Sequence, residues 1–410
     1  MSIIKSLRTG DISTVVSTFL YLCVSFMAWV SLSPLMVYIT RDLDISIEAK
    51  LRLSALAVVS GSLLRIPVGL LADKIGTKPT GIIVQSIALV AITSVYLVGL
   101  KSNEDILIFA LFLGFSGASF AIALPQASHW YAPEYQGLVL GIVGAGNMGV
   151  GLNALFSPLI AQQYDWQTAY GILAVAMAAT LIIYIICSRD APISVVGVGQ
   201  DDYMGVITSK HGRLYMVIYF ITFGGFVGLS ASIPTLFNSQ YHVSGVLSGM
   251  LAAIIVFIGS IARPIGGYLA DKKGASKLMY GLLLLISLAY ALLAFTNFNI
   301  NSVLSQKEGN ILMAVMPVLS AVLFSICSLF LGIGNGAIFQ QIGKKFPSNI
   351  GAASGIIGAS GGIGGFVLAE VLARSREETG SFCYGYASLC LLVGVGILWL
   401  KSNEDCMDSK

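Results

Sequence analysis

Residues 61–76 read GSLLRIPVGLLADKIG, and residues 259–274, displaced by 198 positions, read GSIARPIGGYLADKKG. Nine of the sixteen positions are identical, so one element is written twice in the chain. Each copy sets an arginine, Arg65 or Arg263, inside an apolar run, eight residues ahead of an aspartate, Asp73 or Asp271, that ends it. Eight residues of helix rise roughly 12 Å. Both arginines are therefore expected near the middle of a hydrocarbon layer about 30 Å thick. A cation at that depth costs on the order of 3 kcal/mol or more. Two at equivalent depths call for a ligand or a partner.

The rest of the composition agrees with a membrane setting. Of 410 residues, 56% are hydrophobic and 10% charged, with a mean hydropathy of +0.86; soluble domains carry about 25% charged residues. The chain reads as an all-α polytopic membrane protein. A net charge of +3, with no basic block outside the loops, gives no reason to expect a nucleic-acid partner. The six cysteines (Cys23, Cys187, Cys327, Cys383, Cys390, Cys406) show no paired spacing and read as small buried hydrophobes, not disulfides or metal ligands. The N-terminal MSIIKSLRTGDIS is basic but carries no cleavage-site pattern, so the first apolar run is expected to be a retained helix.

Twelve apolar segments can be drawn, over 13–40, 51–72, 79–100, 106–128, 137–160, 168–187, 214–237, 244–270, 276–296, 311–340, 351–373 and 381–400. Most meet the length of roughly 20 residues that a spanning helix needs. Between the sixth and seventh lies the most polar interior stretch, which divides the chain into a first half (1–187), a cytoplasmic linker (188–213) and a second half with a short tail (214–410). With the N-terminus inside, fourteen of the 23 lysines and arginines fall in cytoplasmic segments and seven in external loops, the other two being Arg65 and Arg263. That bias places both termini in the cytoplasm.

The halves repeat in parallel. Tyr21 and Tyr219 share the 198-residue offset. At an offset of 214, Gly137, Gly141, Gly144 and Gly151 match Gly351, Gly355, Gly358 and Gly365, as Gln126 matches Gln340 and Pro133 matches Pro347. Parallel six-helix repeats with a pocket at their interface are one plan for a transporter. The loop element Gly69-Leu70-Leu71-Ala72-Asp73-Lys74-Ile75-Gly76, with its copy at Gly267, Asp271 and Gly274, resembles the signature of the major facilitator superfamily. The resemblance covers essentially the whole chain and implies two pseudo-symmetric six-helix bundles. In that superfamily the aspartate caps a neighbouring helix terminus and helps hold the outward-facing state, a role the resemblance gives to Asp73 and Asp271. Thr77 and Ala275 stand where the signature commonly has a basic residue.

The apolar segments offer the arginines almost no carboxylate: Glu370 alone lies plainly inside one, toward the outer end of the eleventh. A buried pair of guanidinium groups then favours an anionic ligand over a structural salt bridge, and the planar fork of donors suits a flat oxyanion. The fifth and eleventh segments, GLVLGIVGAGNMGVGLNALFSP (137–158) and GAASGIIGASGGIGGF (351–366), are dense in glycine. Such faces allow close helix packing and also leave backbone open to a pocket, with Gly144, Gly146, Gly358 and Gly361 as candidate lining positions. Asn147 serves either as interhelical glue or as a ligand contact. Paired arginines beside glycine-rich fifth and eleventh helices resemble the nitrate/nitrite porter family. In that family two phenylalanines sandwich a planar anion that the arginines, a tyrosine and an asparagine hydrogen-bond. The resemblance gives these roles to Phe120, Phe223, Arg65, Arg263, Tyr219 and Asn147, with Tyr21 a further lining candidate.

His129, His211 and His242 fall in or beside loops without metal or catalytic spacing, and no phosphate loop for ATP is present. The expected protein is not an enzyme and needs no cofactor or metal. It is a secondary transporter of the cell membrane, working as a monomer in the lipid bilayer on nitrate and nitrite by exchange. Proton-coupled nitrate symport and antiport of formate or oxalate remain alternatives. A nitrate sensor is a further one, disfavoured by a linker and tail too short to make a signalling surface.

Overall fold

The computed structural model describes residues 9–40, 45–190, 200–304, 310–346 and 350–403. They contain twelve helices long and apolar enough to cross a membrane: Ile12–Ile39, Ile47–Ile75, Thr77–Val98, Asn103–Ser128, Val139–Gln163, Trp166–Cys187, Lys210–Tyr241, Gly245–Ala270, Ala275–Asn297, Val315–Lys345, Gly351–Thr379 and Cys383–Ser402. These are numbered below as the first to twelfth spans, and they match the twelve expected segments one for one.

Short polar residues start them. Asp11, Ser46, Ser102, Asp165, Ser209 and Ser244 each accept a hydrogen bond from a backbone N–H of the first turn. Ser102 and Asp105 complete a reciprocal capping box. Gly76 (φ +97°) and Gly274 (φ +82°) end the second and eighth spans in a backbone region that residues with a Cβ avoid, which explains the repeated glycine of the loop element.

Three spans are interrupted. The first changes course at Val30–Ser31, between helices Ile12–Trp29 and Leu32–Ile39. The fourth breaks at Ser119, between Asn103–Ala118 and Phe120–Ser128. The fifth tightens into a 3₁₀ turn over Ala145–Asn147. Tightened turns inside long helices often mark functional positions, and the last two breaks adjoin Phe120 and contain Asn147.

Of the expected linker 188–213, residues 191–199 lie outside the described residues, and Gln200–Thr208 forms a short helix leading into the seventh span. At one end of the bundle, the N-terminal turns of the second span meet the C-terminal turns of the eleventh. There Arg52 pairs with Glu370 at 2.9 Å and with Glu377 at 2.6 Å, Arg374 pairs with Glu370 at 2.7 Å, and Arg376 approaches Glu48 at 3.6 Å. Ser33 Oγ donates to the Ala231 carbonyl at 2.6 Å, tying the first span to the seventh. The chain is thus drawn together at the Arg52 end, and Glu370, the carboxylate visible in the sequence, is committed to that closure.

Candidate functional site

Arg65 lies in the second span with no solvent exposure. Its Nε donates to the Gly117 carbonyl at 3.3 Å and its Nη1 to the Gly358 carbonyl at 2.6 Å, while Nη2 has no hydrogen-bond partner. The Gly117 carbonyl is available because the fourth span loosens toward Ser119. The Gly358 carbonyl is reachable because a Cβ at Gly358 would stand only 2.9 Å from Nη1. One arginine therefore stitches the second, fourth and eleventh spans together and keeps a donor spare.

Arg263, in the eighth span, is 9% exposed. Its Nη2 donates to the Tyr219 hydroxyl at 3.3 Å and its Nη1 has no partner. Among the described residues neither arginine forms an ion pair. Aromatic faces flank both cations. The Arg65 guanidinium carbon lies 4.7 Å from the Phe120 ring, 5.3 Å from Trp29 and 5.6 Å from Phe223. That of Arg263 lies 5.8 Å from Phe223 and 5.9 Å from Phe339. Sharing Phe223 puts the two guanidinium carbons within about 11 Å of each other. Cation–π contact offsets part of the cost of burying each charge.

Tyr219 and Phe223, one turn apart on the seventh span, stack at 4.9 Å with planes 4° apart. Phe339 of the tenth span meets Tyr219 edge-on at 5.2 Å and Phe120 edge-on at 5.6 Å. Phe120, Phe223, Phe339 and Tyr219 form an aromatic cluster with a cation on either side. Gly361 lets the eleventh span press on it, since a Cβ there would lie 2.6 Å from Tyr219 and 2.8 Å from Phe223.

Asn147 is fully buried and neither amide atom has a hydrogen-bond partner. Its neighbours place it: Gly146 packs on Leu22 and Cys23 of the first span, and Gly151 on Phe257 of the eighth. Asn147 falls in the wedge between them and makes no hydrogen bond to either arginine. Gly144 has open space where a Cβ would project. Five of the six polar or aromatic positions singled out in the sequence, Arg65, Arg263, Tyr219, Phe120 and Phe223, thus meet in one cluster. The two phenylalanines expected to sandwich an anion both lie against Arg65.

Tyr21 does not join them. It donates to the Gly81 carbonyl at 3.2 Å and stacks on Tyr184 at 4.4 Å, so its hydroxyl is spent within the first half. In the loop element, Gly69 is buried in the second span, a Cβ at Gly267 would lie 3.8 Å from the Gly336 carbonyl, and Asp73 is exposed. The Asp271 side chain falls outside the described ones. An acceptor at the start of the third span is Asp190, which takes the Lys78 N–H at 2.8 Å and the Thr77 hydroxyl. Burial holds His129, beyond the fourth span, below the usual histidine range.

Phe339 and Trp29 escaped the sequence reading. The tenth span is apolar around most of its circumference, so nothing singles out one phenylalanine. Trp29 did carry a signal: tryptophan favours membrane interfaces, and this one lies inside a span with its Nε1 donating to the Ala57 carbonyl at 2.7 Å.

Residues 18–369 match the model of the Major Facilitator Superfamily. The chain is 31% identical over 365 residues to the "Probable nitrate/nitrite transporter NarK2" of Mycobacterium tuberculosis, covering 86% of each chain. It is 29% identical to the "Probable nitrate/nitrite antiporter NarK1" of Thermus thermophilus, over 92% of this chain and 87% of that one. With the "Nitrite extrusion protein" of Bacillus subtilis it shares 28% identity, over 94% and 93% respectively. Among solved structures, the xylose transporter XylE from E. coli, in a partially occluded inward open conformation, superposes with a TM-score of 0.71 at 12% identity, over 95% and 97% of the two chains. That last likeness concerns the fold alone.

Proposed function

Because the chain belongs to the major facilitator superfamily, we propose that it is a secondary carrier of small planar oxyanions that exchanges nitrate for nitrite, with both termini in the cytoplasm of a cell-membrane protein. One observation carries this reading. An arginine from each half reaches the same phenylalanine, and each keeps an unpaired, buried N–H. Hydrogen-bond donors left over at a buried cation suit an anion better than they suit the fold. The names borne by relatives across nearly the whole chain support the choice of anion.

The arginines and the Tyr219 hydroxyl bind the anion's oxygens in its plane, Asn147 supplies a neutral donor, and Phe120 and Phe223 close on its faces. Two cations no more than about 11 Å apart repel by at least about 1.5 kcal/mol at an effective dielectric of ~20, before desolvation is counted. Bringing the halves together around an empty site is therefore slow, and around a bound anion it is helped. That asymmetry favours exchange over net movement. Among the described residues no carboxylate touches either arginine, which supports exchange over proton symport.

Competition binding tests the substrate class. Purified protein should bind nitrate, nitrite should displace it, and a bulky dicarboxylate such as oxalate should not. Absence of nitrate binding, or efficient displacement by oxalate, sinks the reading.

A further inference from the structure

We infer that Asn335, on the tenth span, is a second amide of the anion site and makes it distinguish nitrate from nitrite; this rests on the nitrate/nitrite reading above. Asn335 is fully buried, and neither its Oδ1 nor its Nδ2 has a hydrogen-bond partner among the described residues. Buried amides are nearly always paired, so a wholly unpaired one calls for an explanation outside the fold. Asn147 is in the same condition. Both asparagines adjoin glycine, in Gly146-Asn147 and in Gly334-Asn335-Gly336.

The neighbours fix where Asn335 is aimed. On one side of the tenth span, Leu331 lies 2.8 Å from where a Cβ at Gly225 would stand, and a Cβ at Gly334 would meet Thr222 at 2.8 Å; both are contacts with the seventh span. On another side, Gly332 packs on the Gly259 carbonyl and Gly336 on the Arg263 carbonyl, both of the eighth. At about 100° per residue, Asn335 projects into the sector between those two faces. Phe339, one turn further, projects into the same sector and touches Arg263, Tyr219 and Phe120. The contact of Gly336 with the Arg263 backbone sets Asn335 at the depth of that arginine.

At this depth the asparagine complements what Arg263 lacks. Its Oδ1 is suited to accept one of the two N–H groups of the unpaired Nη1, which leaves the other N–H and the asparagine Nδ2 to donate toward the anion. Nitrate presents three oxygens in one plane and nitrite two. The two arginines, with Tyr219 and Asn147, serve the two oxygens that both anions have, and Asn335 at the rim serves the third, which only nitrate has. Loss of this amide should therefore weigh on nitrate more than on nitrite.

The test measures nitrate and nitrite affinities of the purified full chain by titration calorimetry, for wild type, Asn335→Leu, Asn335→Ser and Asn335→Asp, with thermal unfolding alongside. One lost donor at a charged ligand corresponds to roughly a 10- to 150-fold loss. Asn335→Leu should lose that much nitrate affinity and no more than about 3-fold in nitrite, by the same reasoning. Asn335→Ser, which keeps a donor, should recover part, and Asn335→Asp, an acceptor beside an anion, should abolish nitrate binding. An unchanged nitrate-to-nitrite ratio in Asn335→Leu, whether both affinities fall or neither does, overturns the inference. If the leucine variant does not fold, wild-type nitrate affinity in Asn335→Asp overturns it instead. A wild-type protein that binds neither anion refutes the nitrate reading and this inference together; wild-type binding with an unchanged ratio refutes this inference alone.

Discussion

Replacing Gly361 by alanine should separate binding from stability. The new Cβ would stand 2.6 Å from Tyr219 Cδ1 and 2.8 Å from Phe223 Cδ1, whereas carbon contacts are comfortable at roughly 3.5 Å and beyond. The two rings stack 4.9 Å apart and nearly parallel, so they must give way as a pair by about 0.8 Å. The Arg263–Tyr219 hydrogen bond is already 3.3 Å long and does not survive a displacement of that size. Losing a charge-assisted hydrogen bond costs about 1.5–3 kcal/mol, or about 10- to 150-fold in the nitrate Kd. Overpacking costs about 1–3 kcal/mol of stability, while alanine in a helix returns roughly 0.5–1 kcal/mol over glycine. The net stability cost is then about 0–2.5 kcal/mol, so the variant should still fold while its affinity falls. Gly394→Ala is the matched control. Gly394 lies inside the helix Cys383–Ser402 with open space where the Cβ would go, so it should gain ~0.5–1 kcal/mol of stability with affinity unchanged. Titration calorimetry with nitrate and thermal unfolding of both purified variants measure the pair. Wild-type affinity in Gly361→Ala, or an equal loss in Gly394→Ala, refutes this account of the aromatic cluster.

Arg65→Lys keeps the charge but cannot reach both the Gly117 and Gly358 carbonyls and still offer a donor; nitrate affinity should fall at least ~30-fold, as calorimetry would show. Arg52→Ala removes the cation that bridges Glu370 and Glu377 from the other half; these side chains are partly exposed, so the closed form should lose only about 1 kcal/mol. Spin-label distances between the second and eleventh spans should then show opening at the Arg52 end, with an effect that shrinks in high salt. Asp190→Ala strips the acceptor from the start of the third span. It should cost about 1 kcal/mol in thermal unfolding and leave anion affinity alone.

How much of this was legible depended on whether a residue stood out against its surroundings. Arg65 and Arg263 did, because a cation within an apolar run is conspicuous at any alignment depth, and their repetition at one offset announced two halves. Asn147 stood out in the same way. Phe339 did not, since one more aromatic in an apolar helix changes no pattern, although it closes the cluster between Phe120, Tyr219 and Arg263. Glu370 was visible as a carboxylate, but its partner Arg52 lies 318 residues away and only the packing of the second span on the eleventh pairs them. The break at Ser119 and the 3₁₀ turn at Ala145–Asn147 were hidden for another reason. Glycine-rich apolar sequence is compatible with straight and with interrupted helix, and tertiary contact chooses between them. Asp190, an acceptor at the start of the third span, was not singled out either, because it lies 112 residues from the Lys78 N–H it accepts.

The central claim is that an anion held between Arg65 and Arg263 is what allows the halves to exchange sides. Counterflow in vesicles containing the purified chain tests it directly, with labelled nitrate outside and nitrite, nitrate or no anion inside. The account predicts rapid uptake into both preloaded sets and almost none into empty vesicles, even under an inward proton gradient. Vigorous uptake into empty vesicles driven by that gradient would contradict it.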